Sequence, residues 1–178
     1  MRYISAPWRA AYVRKALTMT SCVFCEALRS SDDREPAILF RGIHHFLLLN
    51  KYPYTPGHLM IAPYRHLADF TRARPGEAAE LGGLLRLAVR ILRRCYSPHG
   101  FNVGMNLGHS AGAGVADHYH LHVIPRWTGD SNFMPLVGGT RVFIEDLETT
   151  YDRLLPFFQR EQSRRDQGGG PAPRTGKK

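Results

Sequence analysis

Apolar residues recur every three or four positions between residues 77 and 96, and arginines occupy the other faces of that stretch. This spacing predicts an amphipathic helix, which ends at the Ser-Pro-His-Gly segment that follows. A second apolar stripe predicts another helix late in the chain. Its members are Leu147, Tyr151, Leu154, Leu155 and Phe158.

Short apolar runs bounded by glycine, proline and polar residues predict five β-strands. Their limits are 37–40, 46–50, 58–62, 101–106 and 119–124. The first three strands are close enough in the chain to form a β-meander, with an irregular loop where KYPYTPG contains two prolines and a glycine. One antiparallel sheet of about five strands with flanking helices makes the predicted fold class α+β.

The composition predicts one soluble domain. The chain has 178 residues, of which 43% are hydrophobic and 22% charged, enough for a sizeable core. No apolar run approaches the roughly 20 residues that a membrane-spanning helix needs. Residues 1–10 lack the apolar centre of a secretory signal. We therefore expect a cytoplasmic protein without a membrane partner.

The formal charge of +9 is unevenly distributed. Residues 161–178 contain five basic and two acidic residues, a net charge of +3, and their glycine-rich polar composition predicts a disordered basic tail. The domain is expected at 21–160, after an N-terminal arm or short helix at 1–20. We do not expect nucleic-acid binding, because no basic stripe alternates with aromatic residues.

Three histidines alternate with apolar residues in the last predicted strand. His118, His120 and His122 would lie on one face of that strand, at steps of about 6.6 Å. Two chemistries fit this pattern. One is a three-histidine metal site of a metal-dependent enzyme. The other is nucleophilic catalysis, in which a neutral imidazole attacks phosphorus.

A glycine-rich loop directly precedes these histidines. Residues 108–114 read GHSAGAG, and backbone amides in such a segment can approach an anion closely. A loop of this kind is by itself usually only a turn. Its position before the histidine strand favours phosphoryl chemistry over a metal site.

The alternating segment HYHLHVI resembles the signature of the histidine-triad family. Four other segments resemble the branch of that family related to diadenosine tetraphosphate phosphorylases and hydrolases: NKYPYTPGHLMIAPYRH, GFNVGMNLG, AGAGVADH and PRWTGDSNFMP. The resemblance implies an α+β fold whose sheet continues across a homodimer. It also implies cleavage of a nucleotide or dinucleoside polyphosphate at an α-phosphate, through a nucleotidyl–histidine intermediate and without an organic cofactor.

The resemblance further implies roles for individual residues. His120 would be the nucleophile, with His118 and His122 flanking it and His122 contacting the attacked phosphate. Asn50 would hydrogen-bond the ribose. The residues expected near the phosphates are His58, Asn106, Ser110, Gly112 and Gly114. Without the resemblance, the two asparagines fit equally well as turn and strand-end residues that satisfy backbone groups.

The chain departs from the family pattern at one position. Some members have a glutamine that can donate to the leaving group, where this chain has Gly112-Ala113-Gly114. Ser110 and backbone amides are the expected substitutes. Two alternatives therefore stay open, a nucleoside phosphoramidate hydrolase and a nucleotide-binding sensor with little turnover. The acceptor is also open between water and phosphate. The PRWTGDSNF segment, which includes Arg126, favours phosphate.

Cys22 and Cys25 form a C-x-x-C pair, which alone fits either a metal site or two packed thiols. The resemblance supplies His66 and His118 as two further ligands, and so implies one structural zinc in a Cys₂His₂ site. Such a metal would tie the N-terminal arm to the histidine strand. No role is predicted for three other histidines, which we expect on the surface: His44, His45 and His99.

Overall fold

The computed structural model of the chain describes residues 21–130 and 145–168. The helices are α1 (Val23–Arg29), α2 (Pro75–Tyr96) and α3 (Leu147–Gln167). The strands are β1 (Ile38–Arg41), β2 (His45–Leu49), β3 (Leu59–Pro63), β4 (Gly100–Met105) and β5 (Leu121–Arg126). The predicted arm or helix at 1–20 lies outside the described residues.

The strands form one antiparallel sheet in the order β1-β2-β3-β5-β4. The first three are neighbours in chain order, as the predicted meander requires. β5 lies between β3 and β4, so His122 has Met60 on one side and Gly104 on the other. The predicted α+β class with a five-stranded antiparallel sheet is confirmed.

Both faces of the sheet are covered near its centre. Leu47, Ile61 and Val123 pack on one face against α2 and α3. The opposite face packs against α1, through Phe24, Phe46, Leu48, Met60 and Ala62. Because β2 and β3 are buried on both faces, their sequences are continuous apolar runs rather than alternating ones.

The ends of α2 are fixed by backbone hydrogen bonds. At its start, the Arg74 N–H donates to the Glu77 carboxylate at 2.7 Å, half of a capping box. At its end, Ser97 adopts a left-handed conformation with φ of 45° and donates its N–H to the Arg93 carbonyl. No helix in the described part of the chain combines the length and apolar character needed to cross a membrane.

The last helix corrects the predicted start of the tail. α3 continues to Gln167, so the prediction of disorder is wrong for residues 161–167. Glu161 bonds Arg90 of α2 at 3.0 Å, which adds a tertiary contact to a polar stretch. Composition alone misplaced the boundary because the glycine-rich stretch begins only at Gly168. Residues 169–178 of the predicted tail are outside the described part.

Candidate functional site

His120 and His122 lie together on the α1 side of the sheet. Their ring centroids are 4.8 Å apart in an edge-on arrangement. The ring of Phe24 lies 4.8 Å from His120 and 5.1 Å from His118, so α1 contacts both histidines. The three histidines differ in exposure, because His122 is partly buried and His120 is only 5% exposed. Regular strand structure begins only at Leu121, and His118 is completely buried.

The hydrogen bond of His120 fixes which of its nitrogens is basic. Its Nδ1 lies 2.9 Å from the His118 carbonyl oxygen. A carbonyl only accepts, so Nδ1 carries the proton and the lone pair of the neutral ring is on Nε2. Burial also lowers the pKa of His120 below its ordinary value. The residue is therefore held as a neutral imidazole with a nucleophilic Nε2.

His122 has the opposite tautomer, and His58 determines it. The backbone N–H of Tyr54 donates to His58 Nδ1 at 3.1 Å, so the ring proton of neutral His58 is on Nε2. That Nε2–H then donates to His122 Nδ1 at 2.9 Å. His122 consequently carries its own proton on Nε2. The site thus contains one imidazole that offers a lone pair and a second that offers an N–H.

The loop before β3 holds His58 in place. Asn50 Oδ1 accepts from the Tyr52 N–H at 2.9 Å, and the Asn50 amide nitrogen lies 3.4 Å from His58 Nδ1. Gly57 has φ of +75°, and a Cβ there would lie 3.0 Å from the Leu92 side chain, so only glycine fits without strain. The structure thus gives Asn50 the turn-stabilising role that fits its residue type.

The glycine-rich loop connects β4 to β5. Asn106 directly follows Met105, which pairs with Leu121, so the loop starts beside the histidine strand. Ser110 and Gly112 are exposed, and Gly114 is partly buried. Gly112 has φ of +82°, a left-handed conformation that favours glycine. Val115 packs into the α1-side cluster, which directs this loop to the same side of the sheet as His120 and His122.

Cys22, Cys25, His66 and His118 come together beside α1. The two sulfurs lie 3.3 and 3.7 Å from His118 Nδ1, and Cys25 Sγ lies 3.3 Å from His66 Nδ1. All four donor atoms are within 4.8 Å of one another. His118 Nε2 donates to the Pro63 carbonyl at 2.9 Å, so its lone pair is on Nδ1 and faces the sulfurs.

This donor set fits a tetrahedral zinc ion. Zinc bond lengths of about 2.3 Å to sulfur and 2.0–2.1 Å to nitrogen put ligand atoms about 3.3–3.8 Å apart, which matches the closer pairs. Burial lowers the pKa of His118 to about 4 and so keeps it neutral, as a ligand must be. Burial and the neighbouring Cys22 raise the pKa of Cys25 to about 11 in the absence of a metal. A cation at this position would favour the thiolate.

Arg126, the basic residue nearest the histidines in sequence, is engaged in ion pairs and hydrogen bonds. Its Nε and Nη2 donate to the Asp130 carboxylate at 2.6 and 2.7 Å, and its Nη1 donates to Asn102. Much of its charge is therefore balanced by Asp130. The arrangement stabilises the turn after β5 and weakens the argument that Arg126 attracts an acceptor phosphate.

The sequence matches the HIT domain over residues 34–129, more than half of the chain. This range contains all five strands and the residues of the histidine site, including His58, His120 and His122. The chain belongs to the histidine-triad family. The family resemblance based on HYHLHVI is therefore confirmed.

Relatives and solved structures agree with this membership. The chain is 45% identical over 129 residues to AP-4-A phosphorylase of Mycobacterium tuberculosis. The alignment covers 72% of this chain. It covers 66% of that protein, which is just under two thirds of its length. A Zn-bound histidine triad family protein from Mycobacterium smegmatis is 27% identical, with a TM-score of 0.64 over 81% of this chain and 97% of that one. A hypothetical histidine triad nucleotide-binding protein from Sulfolobus tokodaii shares the fold at 24% identity, with a TM-score of 0.61 over 86% and 99% of the two chains.

A buried chain of polar groups supports the histidine-triad strand from its other side, and sequence reasoning missed it. His45 bonds Glu80 through Nδ1 and Tyr119 through Nε2, both at 3.0 Å. Although burial raises the pKa of Glu80, hydrogen bonds from His45 and the Ile43 and His44 amides hold it below its ordinary value. The expectation that His45 is a surface residue is wrong, because it is fully buried. Only its place in a strongly apolar strand could have indicated this.

Replacing Tyr119 with phenylalanine is expected to lower the free energy of unfolding by about 1–3 kcal/mol, because it leaves buried His45 Nε2 without its partner. Chemical denaturation of both proteins measures the difference. Tyr52→Phe is the matched control, since that side chain is 55% exposed, and a change under about 0.5 kcal/mol is expected for it. Equal effects of the two substitutions would contradict the importance of the His45 contact.

Proposed function

We propose that this chain is an enzyme that cleaves dinucleoside polyphosphates such as diadenosine tetraphosphate at an α-phosphate, through a nucleotidyl intermediate on His120. The observation that carries the proposal is the pair of opposite tautomers, a lone pair on His120 Nε2 beside an N–H on His122. The identity to a protein named AP-4-A phosphorylase supports the substrate class.

In the first step, His120 Nε2 donates its lone pair to the α-phosphorus, forming a P–N bond while the bridging P–O bond breaks. With diadenosine tetraphosphate, ATP leaves and an adenylyl group stays on His120. The ring becomes cationic, and the His118 carbonyl stabilises this charge through the Nδ1–H. The His122 Nε2–H is the group that donates to a non-bridging oxygen, where charge develops in the transition state.

In the second step, an acceptor oxygen attacks the same phosphorus and the P–N bond breaks, which restores neutral His120. Water yields AMP and inorganic phosphate yields ADP. The identity to the phosphorylase favours phosphate, although Arg126 is paired with Asp130 and contributes less than its proximity in sequence indicates. We propose phosphorolysis on the basis of this identity.

Incubation of the enzyme and diadenosine tetraphosphate with and without inorganic phosphate tests both the substrate and the acceptor. ADP formed only with phosphate is the expected result. AMP in both incubations would contradict phosphorolysis while leaving the first step intact. The absence of both products would contradict the substrate, and assays on a nucleoside phosphoramidate would then separate a phosphoramidate hydrolase from a nucleotide-binding sensor.

The pH profile of kcat/KM is expected to have its acidic limb below pH 6.5. His120 must be neutral to attack, and because burial favours the neutral form its pKa lies under the ordinary value of about 6.5. Activity should thus be lost only as the pH falls below that value. His99→Ala, a change at an exposed histidine, is the control and should keep the same limb. A limb centred above pH 6.5 would contradict the buried, neutral state of His120.

We also propose one structural zinc per chain, held by Cys22, Cys25, His66 and His118. Zinc would supply cross-linking rather than chemistry, since four protein donors fill a tetrahedral site. His118 then acts as a metal ligand whose carbonyl orients His120. The zinc-bound family member from Mycobacterium smegmatis supports this assignment.

The family resemblance supports further proposals about the residues that contact the substrate in this site. His58 acts through His122, and Asn50 is proposed to reach the ribose. The residues proposed to contact the phosphates are Asn106, Ser110, Gly112 and Gly114.

A homodimer is proposed because β4 is an edge strand and Val103 is 45% exposed on it. The cytoplasmic location, the absence of nucleic-acid binding and the absence of an organic cofactor stay predictions.

A further inference from the structure

A cavity lies between α2 and α3, which cover the face of the sheet away from α1. Its volume is about 170 Å³. We call it the arginine cavity, and its lining residues are Arg90, Ile91, Arg94, Phe157, Arg160, Glu161 and Arg164. Four arginines and one glutamate give this lining a net charge of +3.

The arginines of the arginine cavity repel one another when no anion is bound. Arg90 and Arg94 are four residues apart on α2, and Arg160 and Arg164 are four apart on α3. Like charges at this spacing on a helix repel each other. Glu161 is the single carboxylate of the lining, and it bonds Arg90 at 3.0 Å and Arg164 at 3.1 Å. The charges of Arg94 and Arg160 are not balanced by Glu161.

Arg94 and Arg160 are brought together by one aromatic ring. Their guanidinium carbons lie 5.5 and 5.7 Å from the centroid of Phe157. A cation–π contact of this kind attracts each guanidinium to the ring and leaves its N–H groups able to donate to an anion. Within residues 21–130 and 145–168, neither arginine has a carboxylate partner. Two guanidinium groups without a carboxylate partner among the described residues therefore line the same cavity.

We propose that the arginine cavity binds the phosphate chain of a small oligophosphate. Guanidinium groups match phosphate oxygens in charge and in planar geometry. A net charge of +3 complements a chain of two to four phosphates. The cavity is smaller than the roughly 300–1,000 Å³ typical of sites for whole drug-sized ligands, and its size suits a phosphate chain. The ring that could stack on a base is already occupied by two arginines.

Inorganic tripolyphosphate and the triphosphate of ATP share this chemistry, and calorimetry on the full chain compares their affinities. Tripolyphosphate and ATP are expected to bind the cavity with affinities within a few-fold of each other, and adenosine is not expected to compete. Competition by adenosine at this site would show recognition of the base and would overturn the proposal. So would a single-stranded oligonucleotide that binds through the same arginines more tightly than tripolyphosphate.

The double variant Arg94→Gln/Arg160→Gln is expected to weaken tripolyphosphate binding at this site at least tenfold. Arg72→Gln/Arg93→Gln is the charge-matched control, because both of its arginines lie outside the cavity, and a change under twofold is expected. Equal losses in the two variants would show non-specific attraction by net charge and overturn the proposal. If the first variant fails to fold, Arg94→Lys/Arg160→Lys retains the charge without the planar fork and should still lose affinity, whereas unchanged affinity would overturn it.

The arginine cavity does not depend on the proposed reaction. None of its residues belongs to the histidine site, so the first double variant should turn over substrate like the wild type when no tripolyphosphate is added. Loss of binding with unchanged turnover is the expected pattern. An inactive wild-type protein that still binds tripolyphosphate through Arg94 and Arg160 would contradict the proposed function alone.

Discussion

Replacing His120 with alanine is expected to lower turnover by at least about 10³-fold while the protein stays folded. His120 Nε2 forms the bond to phosphorus in the proposed first step, and among the described residues of the site no other ring nitrogen offers a lone pair in the same position. The His122 Nε2 carries a proton and cannot replace it. Steady-state rates with diadenosine tetraphosphate, with and without phosphate, measure the effect.

The control for this change is His99→Ala, which removes an exposed imidazole outside the site. Its turnover should stay within about twofold of the wild type. Circular dichroism and melting curves verify the fold of both variants. A loss of less than tenfold in His120→Ala would contradict the nucleophile assignment.

Replacing Cys22 and Cys25 with serine is expected to remove the zinc and lower the free energy of unfolding by about 3 kcal/mol or more. The proposed metal links α1 to His118 and His66, and α1 is too short to hold its position by helix formation alone. Its packed residues, Phe24 and Ala27, also cover the histidine side of the sheet. Elemental analysis and denaturation of protein purified without added metal measure the two effects.

Cys95→Ser is the matched control, because this partly buried thiol lies outside the Cys/His cluster. It should keep one zinc per chain. Wild-type protein without zinc, or zinc retained after loss of both thiols, would leave Cys22 and Cys25 as packed cysteines without a metal.

The sheet could be predicted from the sequence because its strands differ from their surroundings in local pattern. The apolar runs of β2 and β3 end at prolines and glycines, and the alternation in β5 marks its two faces. The sequence predicts α2 to within two residues at its start, because apolar positions repeat along it every three or four residues. By contrast, α1 has only seven residues, too few for a periodic signal.

The candidate site was predicted only in part. The sequence indicates that His120 and His122 belong to the site. Their tautomers depend on the His118 carbonyl and the Tyr54 amide, which no local pattern identifies. His118 illustrates the limit most clearly. Strict alternation predicts its side of the strand, whereas its complete burial depends on packing against Phe24 of α1 and its contact with Cys22 depends on a residue 96 positions away.

The long-range polar contacts were beyond sequence reasoning for a related reason. His45 and Glu80 are 35 positions apart, and each alone resembles a surface residue. Arg94 and Arg160 likewise come together only because α2 and α3 pack side by side. Charged side chains that are far apart in the sequence can come close together in the folded protein, and composition does not reveal where.

Direct detection of the covalent intermediate tests the central claim. Wild-type enzyme mixed with diadenosine tetraphosphate and quenched early under alkaline conditions, which preserve P–N bonds, can be digested and examined by mass spectrometry. One adenylyl group is expected on the peptide that contains His120, and none in the His120→Ala variant treated in the same way. An adenylyl group on a different residue, or turnover of the wild type without any covalent adduct, would contradict the mechanism.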